Sequence, residues 1–378
     1  MYLRLNIIFF SAFIFFSCNQ KAPSGNKVTF LVTANVRGQL DPCGWKANPL
    51  GGLPRRATYI NQVKASGIDP ILIDAGDSMF ESYYFAKGKE ASAKLRAKTV
   101  IEHTSKMGDY YYNVGVQDFT AGLSFIKEIE NQSNVYFLSA NLYDDKSDTL
   151  LFNDHIILER DNLKVGMFGV TRELQVELTG VKVDDYIITA KKKINELRSQ
   201  VDILVMLVNA TQTHFGPFVK ELSGVDYIFS SLDGSRTRPE IQQVSGKPLE
   251  YKMGVQGKYI GRCDIEIIEK GKPIVDVSNQ KMMLDVFSQR LKKLQERDPN
   301  RKIEDIYKNS PNVLASIERF RAGIASANST LSNVTNSSSF TLFPLSGSVE
   351  SEKKTLKAVD QILDKCKKLD EKSVAVAS

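Results

Sequence analysis

The chain has only three histidines in 378 residues, which leaves little imidazole for metal ligation or proton transfer. His103 falls in a helical pattern and His155 at a loop-to-strand junction, so both read as ordinary core-edge or surface residues. Only His214 lies near a loop that could form a site. No Lys/Arg tract is dense enough for nucleic-acid binding, and the net charge of +6 is modest at this length. No internal repeat is present. With 42% apolar and 25% charged residues, the composition is that of an ordinary globular protein.

No apolar run is long enough to cross a bilayer, which takes about 20 residues. The longest, Leu5 to Phe16, follows Arg4 and suits a signal-peptide core. It ends in Phe15-Phe16-Ser17-Cys18, and a polar stretch follows from Asn19 to Asn26. A small residue just before Cys resembles a bacterial lipobox. The reading is a signal peptide over 1–17, a lipid-bearing Cys18 and a tether over 18–27. It places the chain in the bacterial cell envelope, held to a membrane that faces the periplasm or the exterior. A plain signal peptide or an uncleaved anchor is the alternative. Cys43, Cys263 and Cys366 remain, too few and too widely spaced for a disulfide framework or a Cys-based zinc site. A single Cys43–Cys263 bridge stays open.

From Val28 onward, short apolar runs alternate with amphipathic stretches. Val28–Thr33, Pro70–Asp74, Tyr111–Val114, Val135–Ser139, Val165–Val170 and Ile203–Val208 read as buried strands. Leu53–Ser66, Ala91–Met107 and Leu123–Asn131 read as helices between them. This is α/β layering, with the natural site at the C-terminal ends of the strands. Val225–Phe229, Leu249–Met253 and Tyr259–Glu269 add strands over the domain 28–280. A mostly helical extension, 281–378, follows, with helices expected over Met282–Arg297, Asn312–Ala327 and Glu350–Leu369. Its segment 328–339, rich in Ser, Asn and Thr, reads as a solvated linker.

Three strand ends carry the most information: Thr33-Ala34-Asn35-Val36-Arg37-Gly38, Asp74-Ala75-Gly76-Asp77 and Val114-Gly115-Val116-Gln117-Asp118-Phe119. They resemble the TNDxHG, DAGD and GNHEFD segments of the 5'-nucleotidase branch of the calcineurin-like metallophosphoesterases. Gly51-Gly52-Leu53-Pro54-Arg55-Arg56-Ala57-Thr58 resembles GGLARxAT, and Ser139-Ala140-Asn141-Leu142-Tyr143 resembles SANVY. The hairpin Leu158–Gly166 resembles LERDGVKVG, and Gly257–Arg262 resembles GKYLGR. The match covers residues 28 to 268 in family order. It implies a four-layer αββα sandwich.

Chemistry in that family needs two divalent metals about 3.5–4 Å apart, with hard oxygen and imidazole ligands. Carried over position by position, the resemblance puts Asn35 at the first Asp ligand and Arg37 at the neighbouring His. Asp77 keeps the bridging Asp. Val116 stands at the Asn ligand, Gln117 at the catalytic His and Asp118 at the Glu of that motif. Asn209 stands at a later His, and Leu232 and Gly234 at a His pair. Asp77 is thus the retained ligand, with Asn35, Asn209 and Asp118 as weak substitutes. Losing even one outer partner of a metal ligand commonly weakens binding about 10–100-fold.

Arg37 cannot ligate a metal, since a guanidinium stays protonated and offers no lone pair. It is expected either to pair with Asp77 in place of a metal or to swing to solvent. Asp74 reads as a turn residue. Arg55 and Arg56, beside a Gly-Gly loop, admit phosphate contact or a solvated helix face. Arg236 and Arg238 lie in the loop at the lost His pair, and Trp45 in a Pro/Gly/Asn-rich loop.

The expected function is that of a membrane-anchored lipoprotein with an inactive phosphatase-like domain that binds a protein or small molecule. No cofactor is expected. The alternative is an active phosphoesterase or 5'-nucleotidase with a diverged site holding Mn, Zn or Mg. Nucleotide specificity is doubtful in either case, because the extension reads as helical rather than as the base-clamping second domain of two-domain relatives.

Overall fold

The computed structural model describes residues 25–44, 47–174 and 178–377. Cys18 and Trp45 lie outside these residues. The first half alternates β1 (Asn26–Thr33), α1 (Leu53–Ala65), β2 (Ile71–Asp74), α2 (Glu90–Ser105), β3 (Tyr110–Asn113), α3 (Leu123–Gln132) and β4 (Val135–Leu138). After β5 (Leu142–Tyr143) come the hairpin β6 (His155–Arg160) and β7 (Leu163–Thr171), then β8 (Lys182–Val183) and α4 (Tyr186–Leu197). β9 (Ile203–Ala210), the short α5 (Gln212–Phe215), β10 (Tyr227–Leu232), β11 (Leu249–Lys252), β12 (Tyr259–Ile267) and β13 (Ile274–Asp276) complete the core run. The C-terminal part holds α6 (Ser278–Gln295), α7 (Ile303–Ile306), α8 (Pro311–Ser332), β14 (Asn336–Pro344) and α9 (Lys353–Ala377).

Two sheets stack face to face. One has the order β13-β14-β12-β1-β2-β3-β4 and the other β11-β10-β9-β7-β6, while β5 and β8 pair separately. Strand alternation builds the layers. In β9, Ile203, Val205 and Leu207 enter the core between the sheets, whereas Leu204, Met206 and Val208 meet α4 on the outer face. In β1, Phe30 and Val32 face the inter-sheet core, and Leu31 faces the helices on the other side. Burial on both faces explains why these strands read as unbroken apolar runs. The result is the expected four-layer αββα sandwich.

The C-terminal region corrects one expectation. The segment 328–339 is not a solvated linker: it ends α8 and begins β14, which pairs antiparallel with β12 inside the larger sheet. Asn336 is buried and anchors that strand, donating to Glu269 O and Lys272 O and accepting from Ile268 N and Glu269 N. The extension 281–378 packs on 28–280: α9 lies along α1 and α2 and buries Val359 and Cys366. The tether expectation also overlaps structure, because β1 starts at Asn26.

Candidate functional site

The ends of β1, β2, β3, β7, β9 and β10 converge, and the loops beyond them adopt backbone shapes that few residues tolerate. Asn35, Arg37, Asp77 and Leu232 all have left-handed φ, at 52°, 57°, 58° and 70°. Such residues cost roughly 1–3 kcal/mol each and persist only where their surroundings enforce them. Here Asn35 N donates to Gly76 O at 2.9 Å, Arg37 N to Asp77 O at 3.2 Å and Gly38 N to Ser78 O at 2.9 Å, zipping two loops together. Gly115 lies close against this pair. A Cβ on it would sit 2.3 Å from Asp77 Oδ1 and 2.7 Å from Asn209 Nδ2, so the turn admits only glycine.

The polar side chains form a closed knot. Asp77 is fully buried; its Oδ1 accepts from Gln117 N at 2.9 Å and its Oδ2 from Asn209 Nδ2 at 2.8 Å. Val116 N donates to Asn209 Oδ1 at 2.9 Å, which fixes the amide with its NH2 toward Asp77. The second Asn209 N–H goes to Ser231 Oγ at 2.7 Å. Asn35 is equally occupied: Nδ2 donates to Asp233 O and Gly254 O, both at 3.0 Å, and Oδ1 accepts from Leu232 N at 2.7 Å. Asp118 accepts from Gly115 N, Met79 N, Asp77 N and Tyr112 Oη. Asp74 organises its turn, accepting from Thr33 Oγ1, Ser78 Oγ and Gly76 N.

The residues at these positions do not fit a two-metal centre. A cation beside Asp77 would face the N–H of Asn209, a donor where a ligand lone pair is needed. Val116 and Leu232 have no donor atoms, Gly234 has no side chain, and the carbonyl oxygens of Asn35 and Asn209 are bonded to backbone N–H groups. Gln117 is an amide, which neither gives nor takes a proton near neutral pH.

Arg37 does not form the expected ion pair with Asp77. Each Asp77 carboxylate oxygen holds an N–H donor instead, and Arg37 meets Asp77 through its backbone. Its Nε is buried with no hydrogen-bond partner among the described residues. The guanidinium charge still acts on Asp77 at longer range. Burial pushes the Asp77 carboxyl up to about 6, against the opposing pull of Asn209, the Gln117 N–H and Arg37. Burial, then the Asp77 charge, raises Asp118 as well.

Arg172, just beyond β7, is a site residue that sequence reasoning missed, although its place at the end of an expected strand was a usable signal. It is 8% exposed, with Nη1 3.2 Å from His214 Nδ1 and Nη2 3.1 Å from Glu173 Oε1. Thr211 Oγ1 lies 2.6 Å from the same His214 nitrogen. Since Arg172 can only donate, Nδ1 accepts and the His214 proton sits on Nε2. Tyr83 is a further missed neighbour, its hydroxyl within the fields of Asp77, Arg172 and Arg37. Gln117 is buried with Oε1 unpartnered among the described residues.

Other candidates have structural roles. Arg55 donates to Pro49 O and Leu345 O, and Arg56 is buried with Nη2 on Thr104 Oγ1, so the pair does not form a solvated helix face. Arg236 stacks over Tyr259, its carbon 4.7 Å from the ring centre, while Arg238 is exposed. Cys43, Cys263 and Cys366 are free, so the Cys43–Cys263 bridge does not form. His103 is buried along α2. Asp154, His155 and Glu196 cluster closely enough to hold a cation, but the Lys193 ammonium already pairs with Asp154 and Glu196. A depression of 640 Å³ opens near the start of β9 and β10, and its Arg198 is paired with Asp226 at 2.6 Å.

Two stacked sheets flanked by helices, with loops gathered at the strand ends around Asp77, define a calcineurin-like phosphoesterase fold. The chain's homologues are members of the 5'-nucleotidase group of that family. It is 28% identical over 202 residues to the 2',3'-cyclic-nucleotide 2'-phosphodiesterase/3'-nucleotidase of Yersinia enterocolitica, covering 48% of this chain and 30% of that protein. It is 26% identical over 214 residues to the 5'-nucleotidase of Vibrio cholerae, covering 53% and 36%. The calcineurin-like phosphoesterase YfkN of Bacillus subtilis superposes with a TM-score of 0.58 at 14% identity, over 92% of this chain and 99% of that one. The 5'-nucleotidase precursor of Thermus thermophilus gives 0.54 at 20% identity, over 66% and 53%. These two relatives in sequence are matched over about a third of their own length. No protein-family model matches the chain.

Proposed function

We propose that this chain is a lipid-anchored binding protein built on a phosphoesterase scaffold and catalytically inactive as a metal-dependent hydrolase. The observation that carries the reading is the Asn209 amide, whose N–H occupies Asp77 Oδ2 at 2.8 Å while Val116 N pins its oxygen. Clearing that carboxylate for a metal would leave buried donors unpaired, at about 1–3 kcal/mol each. The names of the sequence relatives favour a second reading, an active nucleotidase with a diverged site. Purified protein dialysed against Mn²⁺ and Zn²⁺ discriminates between them. We expect no stoichiometric metal and no hydrolysis of AMP or an aryl phosphate. Two ions per chain with turnover would establish the second reading.

Anchoring rests on Ser17-Cys18 after the apolar run. The wild type is expected in the detergent phase and Cys18→Ala in the aqueous phase after signal cleavage. Equal partition of the two would remove the lipid from the proposal.

A further inference from the structure

Arg37 and Arg172 leave different sheets on either side of the Asp77–Asn209 pair, and both guanidinium charges act on the Tyr83 hydroxyl. Arg37 follows β1, and its N–H donates to Asp77 O at 3.2 Å; Arg172 follows β7, and its N–H donates to Asn209 O at 3.1 Å. Asp77 and Asn209 are themselves joined, Nδ2 to Oδ2 at 2.8 Å. The two arginines therefore flank one side-chain pair. The Nε of each is buried and has no hydrogen-bond partner among the described residues. Among the described residues neither guanidinium forms a salt bridge with a buried carboxylate: Arg37 acts on Asp77 only at longer range, and Arg172 pairs with Glu173, whose side chain is 68% exposed.

A buried cation with spare N–H groups is costly unless an anion completes it. The edge of a guanidinium that carries Nε–H and one Nη–H is the fork that grips two oxygens of a phosphate or carboxylate. Two such forks, with Tyr83 close by, can together hold more oxygens than a planar carboxylate offers, which suits a tetrahedral anion. His214, bonded to Arg172 Nη1, restrains that side chain and so positions it.

We infer that Arg37 and Arg172 form a metal-independent site for a phosphate-type oxyanion, either inorganic or the end of a phosphomonoester. The inference rests on the metal-free reading above and names what the cleft binds. No bond is made or broken. Positive charge that two metals would supply comes here from the two guanidinium groups.

Calorimetry on the full mature chain in EDTA, titrated with inorganic phosphate, sulfate and AMP, tests the site. Binding of one anion per chain, weakening as salt rises, is expected. Arg37→Gln and Arg172→Gln should each weaken it about tenfold or more, while Arg172→Lys should retain part of it. Tighter binding of AMP than of phosphate would identify a monoester, and equal binding the free anion. If Arg172→Gln fails to fold, Arg37→Gln carries the test, because that side chain packs less deeply. Undiminished binding in Arg37→Gln would overturn the site. Phosphate binding that appears only with Mn²⁺ would overturn both the site and the metal-free reading. No phosphate binding, with no metal bound either, would overturn the site and leave the metal-free reading standing.

Discussion

Asp77 N donates to Asp118 Oδ2 at 3.2 Å, so two buried acids share one loop junction whose other donors are largely backbone N–H groups. Burial favours their neutral forms, raising Asp77 to about 6 and Asp118 further. A carboxyl whose folded pKa lies above its unfolded one stabilises the fold fully below the unfolded pKa, and that contribution is lost as pH rises through the folded value. Stability should therefore fall between pH 4 and pH 8, most steeply below about 6, where both acids hold more protons in the folded chain than in the unfolded one. Thermal melts at pH 5, 7 and 9 should show this decline, and Asp77→Asn should flatten it even if the variant melts lower throughout. An unchanged slope in Asp77→Asn would mean the pair does not govern the pH response. At this scale the sequence showed which strand ends meet. It could not show that Asn35 and Asn209 would be consumed by Leu232 N, Val116 N and Asp77, because those bonds cross long sequence separations. The same holds for Arg37: its charge was readable, but the partners that Asp77 takes from Gln117 and Asn209 were not.

Elements divide by where their information lies. β1, β2, β7 and β9 were legible because burial on both faces leaves continuous Val, Ile and Leu runs, which composition alone reveals. β14 was not, since Asn336, Ser337, Ser338 and Ser339 carry the local signature of a loop. Their strand state comes from partners distant in the chain: Ser338 pairs with Ile265, its Oγ is 3.4 Å from Cys263 Sγ, and Asn336 closes the turn between β12 and β13. Strand preference depends on such context more than helix preference does. Helices were easier, and α6, α8 and α9 fall where amphipathic spacing put them. The Arg55-Arg56 pair shows a charged motif taken up by packing. It drew a phosphate reading because it opens α1 beside two glycines, yet Arg55 ties that helix to Leu345, and Arg56 sits buried beneath it.

The whole molecule is held together by segments that look appended. Phe340 of β14 stacks on Tyr251 of β11 with ring centres 4.1 Å apart, so the C-terminal region bridges the two sheets through the inter-sheet core. On the opposite face of the larger sheet, α9 adds Val359 to the helical layer, and its Asp370 accepts from Ser92 Oγ at 2.6 Å and Lys89 Nζ at 2.8 Å. Removing one buried Phe typically costs about 3–5 kcal/mol. A whole protein of this kind has only about 5–15 kcal/mol of net stability. A chain ending at residue 280 would lose Phe340, Leu345 and Val359 together and would leave the β12 edge unpaired. It should therefore be insoluble or lack a cooperative melt, whereas the chain ending at 378 should unfold in one transition. A soluble 25–280 fragment with a sharp melt would show instead that the phosphoesterase-like part is an independent unit. The same experiment bears on the cleft, because Gly51, which precedes α1, donates to Leu345 O at 2.8 Å, and a Cβ on Gly51 would stand 3.1 Å from Gln256 O. Gln256 N in turn donates to Asn35 O at 2.7 Å, so the strap after β14 braces the loop that carries Asn35 and Arg37.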